Sequence, residues 1–325
     1  MKVLVIGDPH FKINNTEETN LMTDKLLNLA SLHQPDFIVC LGDVLDRHES
    51  IHVSPLLRSV DFITKLSFIS PIYILIGNHD RPNNNIYLTD QHPFTALKGW
   101  KNIHIIDTPL LQKISLFNFL FVPYVPTGRF KEAISPYDLS DIKCIFAHQE
   151  FKGAKMGAII SSNGDEWSLT NPLVISGHIH EFDHLQDNII YTGTPIQHNF
   201  SDSHKKYVFI FDFNSDSYSI EKFNLGLPKK KIVKLSCADS YKINDLNPNH
   251  HYKIVLTGTP EEIKLVKLSN FSLPKVKFTF KTLSSSQNFI HQSKSFHSQG
   301  FFKLFHDRLQ KDHDLMETFK NYIDV

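Results

Sequence analysis

Five short polar clusters, each placed directly after an apolar run, constrain this chain more than any other feature. Asp8-Pro9-His10 follows Val-Leu-Val-Ile-Gly, Gly42-Asp43 follows Phe-Ile-Val-Cys-Leu, and Gly77-Asn78-His79-Asp80 follows Ile-Tyr-Ile-Leu-Ile. His148 follows Cys-Ile-Phe-Ala, and Gly177-His178-Ile179-His180 follows Leu-Val-Ile-Ser. Ligands of an open α/β sheet bind beyond the carboxyl ends of its strands, where such residues converge. One His or Asp at a strand end more often caps or hydrogen-bonds than binds metal. Five at the same topological position point to a site. The chain has 19 histidines, so position carries the inference and abundance does not.

These side chains form one set of oxygen and imidazole donors, enough for two divalent metals. In Asp8-x-His10 both side chains point to one side of the strand. Asp43 is the natural bridging carboxylate. Asn78 offers a neutral oxygen; His148 and His178 complete one metal, and Asp8, His10 and His180 the other. Two metals about 3.5–4 Å apart polarise a phosphate and activate water, the chemistry of phosphoester hydrolysis. His79 stands beside a ligand and is the candidate proton donor to the leaving oxygen, with packing or helix capping as its alternative role.

The 325 residues, 41% hydrophobic and 21% charged, suit one large soluble domain and a smaller one. Net charge is zero, yet sixteen of the 34 Lys and Arg and only nine of the 34 Asp and Glu lie beyond residue 225. The first part is therefore acidic by seven and the rest basic by seven. That division suits a polyanion held by one part and cut by the other, with Lys229, Lys230 and Lys231 as candidate substrate contacts. A merely solvated basic surface is the alternative. Cys40, Cys144 and Cys237 are too far apart for a disulfide framework, which predicts a reducing compartment. The first strand begins at once, leaving no room for a signal peptide, and no apolar stretch is long enough to span a bilayer. The expected location is cytoplasmic, or nuclear in a eukaryotic host, with no membrane partner.

Strands are predicted at residues 3–6, 37–41 and 72–76, with helices near 18–33 and 54–66, an alternation that builds a sheet with helices on its faces. Residues 103–107 and 110–122 read as further strands, and 142–147 and 173–176 as a continuation of the sheet. Residues 189–191, 207–213 and 218–223 read as a closing antiparallel set. The stretch 224–231, with Gly226, Pro228 and three lysines, reads as a domain boundary. A small strand-helix-strand unit is expected at 252–256, 260–268 and 276–282. Residues 284–299 read as a Ser-, Gln- and His-rich linker. In residues 300–325, Phe302, Phe305, Leu309, Met316, Phe319 and Ile323 keep helical spacing, broken by Asp312.

The five motifs, in this order over residues 8–180, resemble the calcineurin-like metallophosphoesterase superfamily. Within it the chain is most similar to the SbcD-type DNA repair exonuclease subunits, in particular their phage and viral members. Gly77-Asn78-His79-Asp80, Phe121-Val122-Pro123-Tyr124, Gly177-His178-Ile179-His180 and Tyr191-Thr192-Gly193-Thr194-Pro195 carry that resemblance. It implies an α/β fold: a two-sheet sandwich flanked by helices over residues 1–225, a small α+β DNA-capping domain at 226–283, and a C-terminal helix. It also implies manganese at both sites, held by Asp8, His10, Asp43 and His180 and by Asp43, Asn78, His148 and His178, with His79 as catalytic acid. The implied partners are DNA and an SbcC-type SMC-like ATPase bound through the C-terminal helix; a homodimer is a further expected assembly. In one departure, Gly42-Asp43-Val44-Leu45-Asp46-Arg47 resembles the protein phosphatase branch, in which Asp46 would orient His79 and Arg47 would hold phosphate. Three functions follow: a manganese-dependent DNA nuclease subunit, a phosphomonoesterase or phosphodiesterase of the protein-phosphatase-like branch, and a non-catalytic DNA-end-binding scaffold.

Overall fold

Strand runs that are apolar at every position must be covered on both faces, and the computed structural model, which describes residues 1–283 apart from 158, 270 and 272, covers them by stacking two sheets. Four parallel strands open the chain: β1 (Lys2–Ile6), β2 (Phe37–Cys40), β3 (Ile72–Leu75) and β4 (Ile103–Ile106). Helix α1 (Thr16–His33) joins β1 to β2, and α2 (Val53–Ser67) joins β2 to β3. Next come β5 (Leu110–Ile114), β6 (Phe117–Val122), the short helix α3 (Phe130–Ile134) and β7 (Ile142–Ala147). A small hairpin, β8 (Lys155–Met156) and β9 (Ile159–Ile160), precedes β10 (Leu173–Ser176), β11 (Asp183–Gln186) and β12 (Ile189–Tyr191). β13 (Val208–Phe213) and β14 (Tyr218–Phe223) complete the sandwich.

The first sheet has the order β14-β13-β1-β2-β3-β4 and the second β11-β12-β10-β7-β6-β5. Alternate residues of each inner strand serve different layers. Val3, Val5, Phe37, Val39 and Tyr73 meet Phe119, Phe121, Cys144 and Phe146 between the sheets, whereas Leu4, Ile6, Ile38 and Cys40 pack under α1 and α2. Tyr73 and Phe121 stack across the sandwich with centroids 4.3 Å apart.

Two expectations about sheet membership are corrected. Residues 142–147 and 173–176 do not extend the first sheet but form the centre of the second. Residues 189–191 run parallel beside β10, so only β13 and β14 close the first sheet. Apolar periodicity reports burial on both faces, not which of two stacked sheets a strand joins.

A third sheet, β15-β16-β17, follows, with β15 (Lys230–Ser236) parallel to β16 (His251–Gly258), helix α4 (Pro260–Leu268) and β17 (Val276–Thr282). Strand β15 begins inside the stretch read as a boundary, because its lysines obscure the alternation that points Val233 and Leu235 at the core formed by Ile254, Leu256 and Ile263. The proposed linker at 284–299, and the helix at 300–325 with Phe302, Phe305, Leu309, Met316, Phe319 and Ile323, lie outside the described residues. No described helix is long and apolar enough to cross a membrane.

Residues 1–281 form one compact unit, and a buried charge ties the third sheet to α1. Glu18, 6% exposed, accepts from Lys230 Nζ at 3.3 Å, and His251 Nε2 lies 3.2 Å from it. Lys230 Nζ also donates to the Gln197 carbonyl at 2.8 Å, and Lys275 pairs with Glu17. Removing one partner of a buried pair leaves its counter-charge uncompensated. Glu18→Ala is therefore expected to lower the free energy of urea unfolding by about 3 kcal/mol. A change below about 0.5 kcal/mol, the range of an exposed pair, would show that the tether contributes little.

Candidate metal centre

The inner strands of both sheets deliver their following loops to one edge of the sandwich, and the five polar clusters meet there. Each carboxylate is fixed by one oxygen and leaves the other free to serve the site. Asp8 Oδ2 accepts from His178 N at 2.8 Å, and Asp43 Oδ1 accepts from His79 N at 2.8 Å. Asp8 Oδ1 is buried without a hydrogen-bond partner. Asp43 Oδ2 lies 3.5 Å from His148 Nε2, 3.8 Å from His10 Nε2 and 4.0 Å from His79 Nε2. It thus stands between the two donor groups, as a bridging carboxylate must.

The loops take strained paths to achieve this. His10, Asp43 and His178 have φ of 44°, 47° and 76°, left-handed conformations that non-glycine residues adopt only when the surroundings enforce them. Asp80 enforces part of the arrangement: its buried carboxylate accepts from Val44 N, Leu45 N and Gly77 N at 3.2, 2.8 and 3.1 Å. Close approach also explains the glycines before the ligands. A Cβ on Gly77 would lie 2.2 Å from Asp43 N, and one on Gly177 would lie 2.4 Å from Asp8 Oδ1.

Two donor groups result. Ligand atoms of Asp8, His10 and His180 lie within 4.8 Å of one another, as do those of Asp43, His148 and His178. Asn78 Oδ1 is 3.0 Å from both His148 Nε2 and His178 Nδ1. His10 Nε2 and His180 Nε2 face each other at 3.2 Å, a placement that suits two lone pairs sharing a cation. With an unpartnered buried carboxylate oxygen and a mixed O/N donor set, these residues fit a pair of divalent metals.

The charges of the metal-free protein give the same message. Burial, reinforced by the Asp43 charge, raises Asp8 well above the usual carboxylate range. Burial alone would raise Asp43 too, but His148, His10 and His79 overturn it and hold Asp43 well below that range. Burial and Asp43 push Asp80 up to about 6. Burial would depress His148, yet Asp43 and Asp8 carry it up to about 9. Burial, then His148, depresses His178 to about 3, and burial likewise lowers His10 and His180. The charge of Asp43, with Asp8 behind it, thus favours a proton on His148.

His79 is a third exposed on its side chain and stacks on His48 with centroids 4.7 Å apart. Its Nδ1 lies 2.9 Å from the main-chain carbonyl of Asp46. A carbonyl only accepts, so Nδ1 carries hydrogen and Nε2, aimed at Asp43, is left to exchange a proton. The orientation expected from the Asp46 carboxylate thus comes from its main chain; the carboxylate itself pairs with Lys12 at 2.9 Å. Arg47 is exposed beside this loop. Lys229 and Lys231 are partly exposed, but Lys230 points inward to Glu18 and is not a free substrate contact.

His198 escaped the sequence reading. It is buried, with its ring centroid 4.7 Å from His10 and 5.5 Å from His180, and its Nε2 3.4 Å from the Asp8 carbonyl. It follows no apolar strand run, the signal by which the others were found. Arg81 was also missed: buried under the site, it donates to the carbonyls of Tyr124 at 2.8 Å and Tyr87 at 3.1 Å.

A family model described as calcineurin-like phosphoesterase matches residues 1–182, a span that contains all five loops. The chain belongs to the calcineurin-like phosphoesterase family. It is a metal-dependent phosphoesterase by that membership and by its donor groups. It is 40% identical over 269 residues to protein 078R of Invertebrate iridescent virus 3, which is named a phosphoesterase, covering 81% of this chain and 78% of that one. It is 41% identical over 276 residues to 244L of Invertebrate iridescent virus 6, named likewise, covering 82% and 97%. Among solved structures, GAP50, titled the anchor in the inner membrane complex of Plasmodium, shares 12% identity at a TM-score of 0.43, over 70% of this chain and 85% of that one.

Metal binding must displace the proton on His148. Because that group titrates near 9 in the metal-free protein, apparent affinity should rise with pH up to that point, by about tenfold per unit from this group alone. Calorimetric titration at pH 7.5, in buffers of different ionisation heat, should show release of about one proton or more per chain. Affinity that is flat between pH 6.5 and 8.5, with no proton released, would contradict the charge assignment.

Proposed function

We propose that this chain is a manganese-dependent nuclease subunit that hydrolyses phosphodiester bonds of DNA in repair or recombination. The observation that carries the reading is a cleft of about 540 Å³ between the third sheet and the loops of Asp46 and His198, two neighbours of the candidate ligand His10. Asp46, His198 and Asn199 line its inner end; Lys12, Lys275, Lys277 and His251 line its walls. A cleft beside the proposed metal pair, with lysines outnumbering its carboxylates Glu18 and Asp46, fits a substrate with phosphates beyond the one being cut.

The residues then have separate tasks. Asp8, His10, Asp43 and His180 would hold one metal; Asp43, Asn78, His148 and His178 would hold the other. Such a pair would supply charge stabilisation and water activation for in-line displacement at phosphorus, and the carboxylate and amide oxygens of the set suit manganese. His79, with Nδ1 anchored on the Asp46 carbonyl, gives a proton from Nε2 to the leaving oxygen. Lys277 holds a flanking phosphate, Lys275 holds a second by exchanging its exposed partner Glu17 for it, and Arg47 is placed to reach one nearer the metals. An SMC-like ATPase partner completes the proposal, supported by the apolar spacing from Phe302 to Ile323 in the sequence.

Pure protein with manganese, given labelled linear DNA and separately 4-nitrophenyl phosphate, tests the reading. DNA should be cut, and His79→Ala should slow cutting by about 10²-fold or more, as for loss of a general acid. Replacing Lys275 and Lys277 together by Ala should weaken duplex binding and reduce its log–log salt slope by about 0.9 for each lost contact. Turnover of the monoester with no cleavage of DNA would assign the site to small or protein-borne phosphates instead.

A further inference from the structure

A second, smaller cavity opens from the same edge of the sandwich, and its lining differs in kind from that of the basic cleft. It measures about 320 Å³ and has an apolar base formed by Phe11, Ile13, Leu45 and Pro55. Lys12, Asn14 and Asp46 line both this cavity and the cleft, so the two are adjacent. Its wall includes Asp46, whose carbonyl holds His79, and Arg47, which makes no ion pair among the described residues.

We infer that this cavity is a leaving-group subsite that receives one nucleoside of the substrate, next to the scissile phosphate. The inference rests on the nuclease reading and adds to it. The proton donor must stand on the side from which the leaving oxygen departs, and the cavity shares its wall with the residue that positions that donor. As the incoming water oxygen bonds phosphorus, the bond from phosphorus to the leaving oxygen breaks. The proton from His79 Nε2 ends on that oxygen, and the water proton passes to solvent. The departing group then lies beside Leu45, Asp46 and Arg47.

Size and chemistry select its occupant. A volume of about 320 Å³ is at the lower end for small-ligand sites, enough for one nucleoside and not for an oligomer. The apolar base suits the faces of a nucleobase, and Arg47 at the wall suits the phosphate attached to it. The charged cleft has the opposite character and suits the sugar-phosphate backbone. Pairing an apolar pocket with a basic cleft matches a chain of alternating bases and phosphates.

The test compares cleavage of an ordinary single strand with that of a strand of the same length carrying abasic residues, using manganese-loaded protein. The wild-type chain should prefer the base-bearing strand by about tenfold or more in kcat/KM, the scale of one group lost from an apolar pocket. Ser50→Trp, which places a ring in the cavity from an exposed loop residue, should abolish that preference. Ile51→Trp is a second filler, and metal content and melting temperature check that each variant is folded. Equal cutting of both strands by the wild type, or a preference that survives both fillers, overturns the subsite and leaves the nuclease reading standing. Failure of the wild type to cut any DNA overturns both.

Discussion

Two buried carboxylates, each tethered by one oxygen and left open at the other, are the constraint on which the rest of this molecule depends. Asp8 and Asp43 are out of contact with water, and ionised groups in such surroundings are costly unless opposed by charge. A main-chain N–H from a different loop meets each of them, from His178 and His79 respectively. These hydrogen bonds fix orientation but supply no counter-charge. The imidazole of His148, held toward its charged form, supplies some of it, and two divalent cations would supply the remainder. The loops thus form a framework whose electrostatics two cations would complete.

That framework is bought with backbone strain. Three of the proposed ligands have left-handed conformations, and neighbouring loops approach so closely that Gly77 and Gly177 have no room for a side chain. Two stacked sheets make this tolerable. Their aromatic interior, with Phe37, Tyr73, Phe121 and Phe146 interlocked, leaves little freedom for the strand ends that carry the loops. Asp80 then links the second loop to the third by accepting three main-chain N–H groups. Packing energy in the sandwich holds a geometry that the loops alone would not adopt.

Much of this was legible in the sequence. A metal ligand has to follow a strand to reach the common edge, and an inner strand reads as an unbroken apolar run, so position and pattern together pointed to Asp8, Asp43, Asn78, His148 and His178. What stayed hidden shares a different physical origin. Nothing in the run from Ile142 to Ala147 says that it faces β2 across a sandwich instead of pairing beside β4. The orientation of His79 comes from a carbonyl, which every residue has, so the side chain of Asp46 gave the wrong hint. Lys230 looked like its neighbours, yet burial against Glu18 separates it from them. His198 reaches the cluster from a loop that starts well after its strand.

Asp43 is placed to join the two donor groups into one centre for two metals. Elemental analysis of manganese in the wild-type protein and in Asp43→Ala, after equilibration and removal of free ion, tests it most directly. The wild-type chain should hold two ions and the variant should lose metal from both groups, because one carboxylate would serve both cations. A single ion in the wild type, or a variant that keeps two, would contradict it.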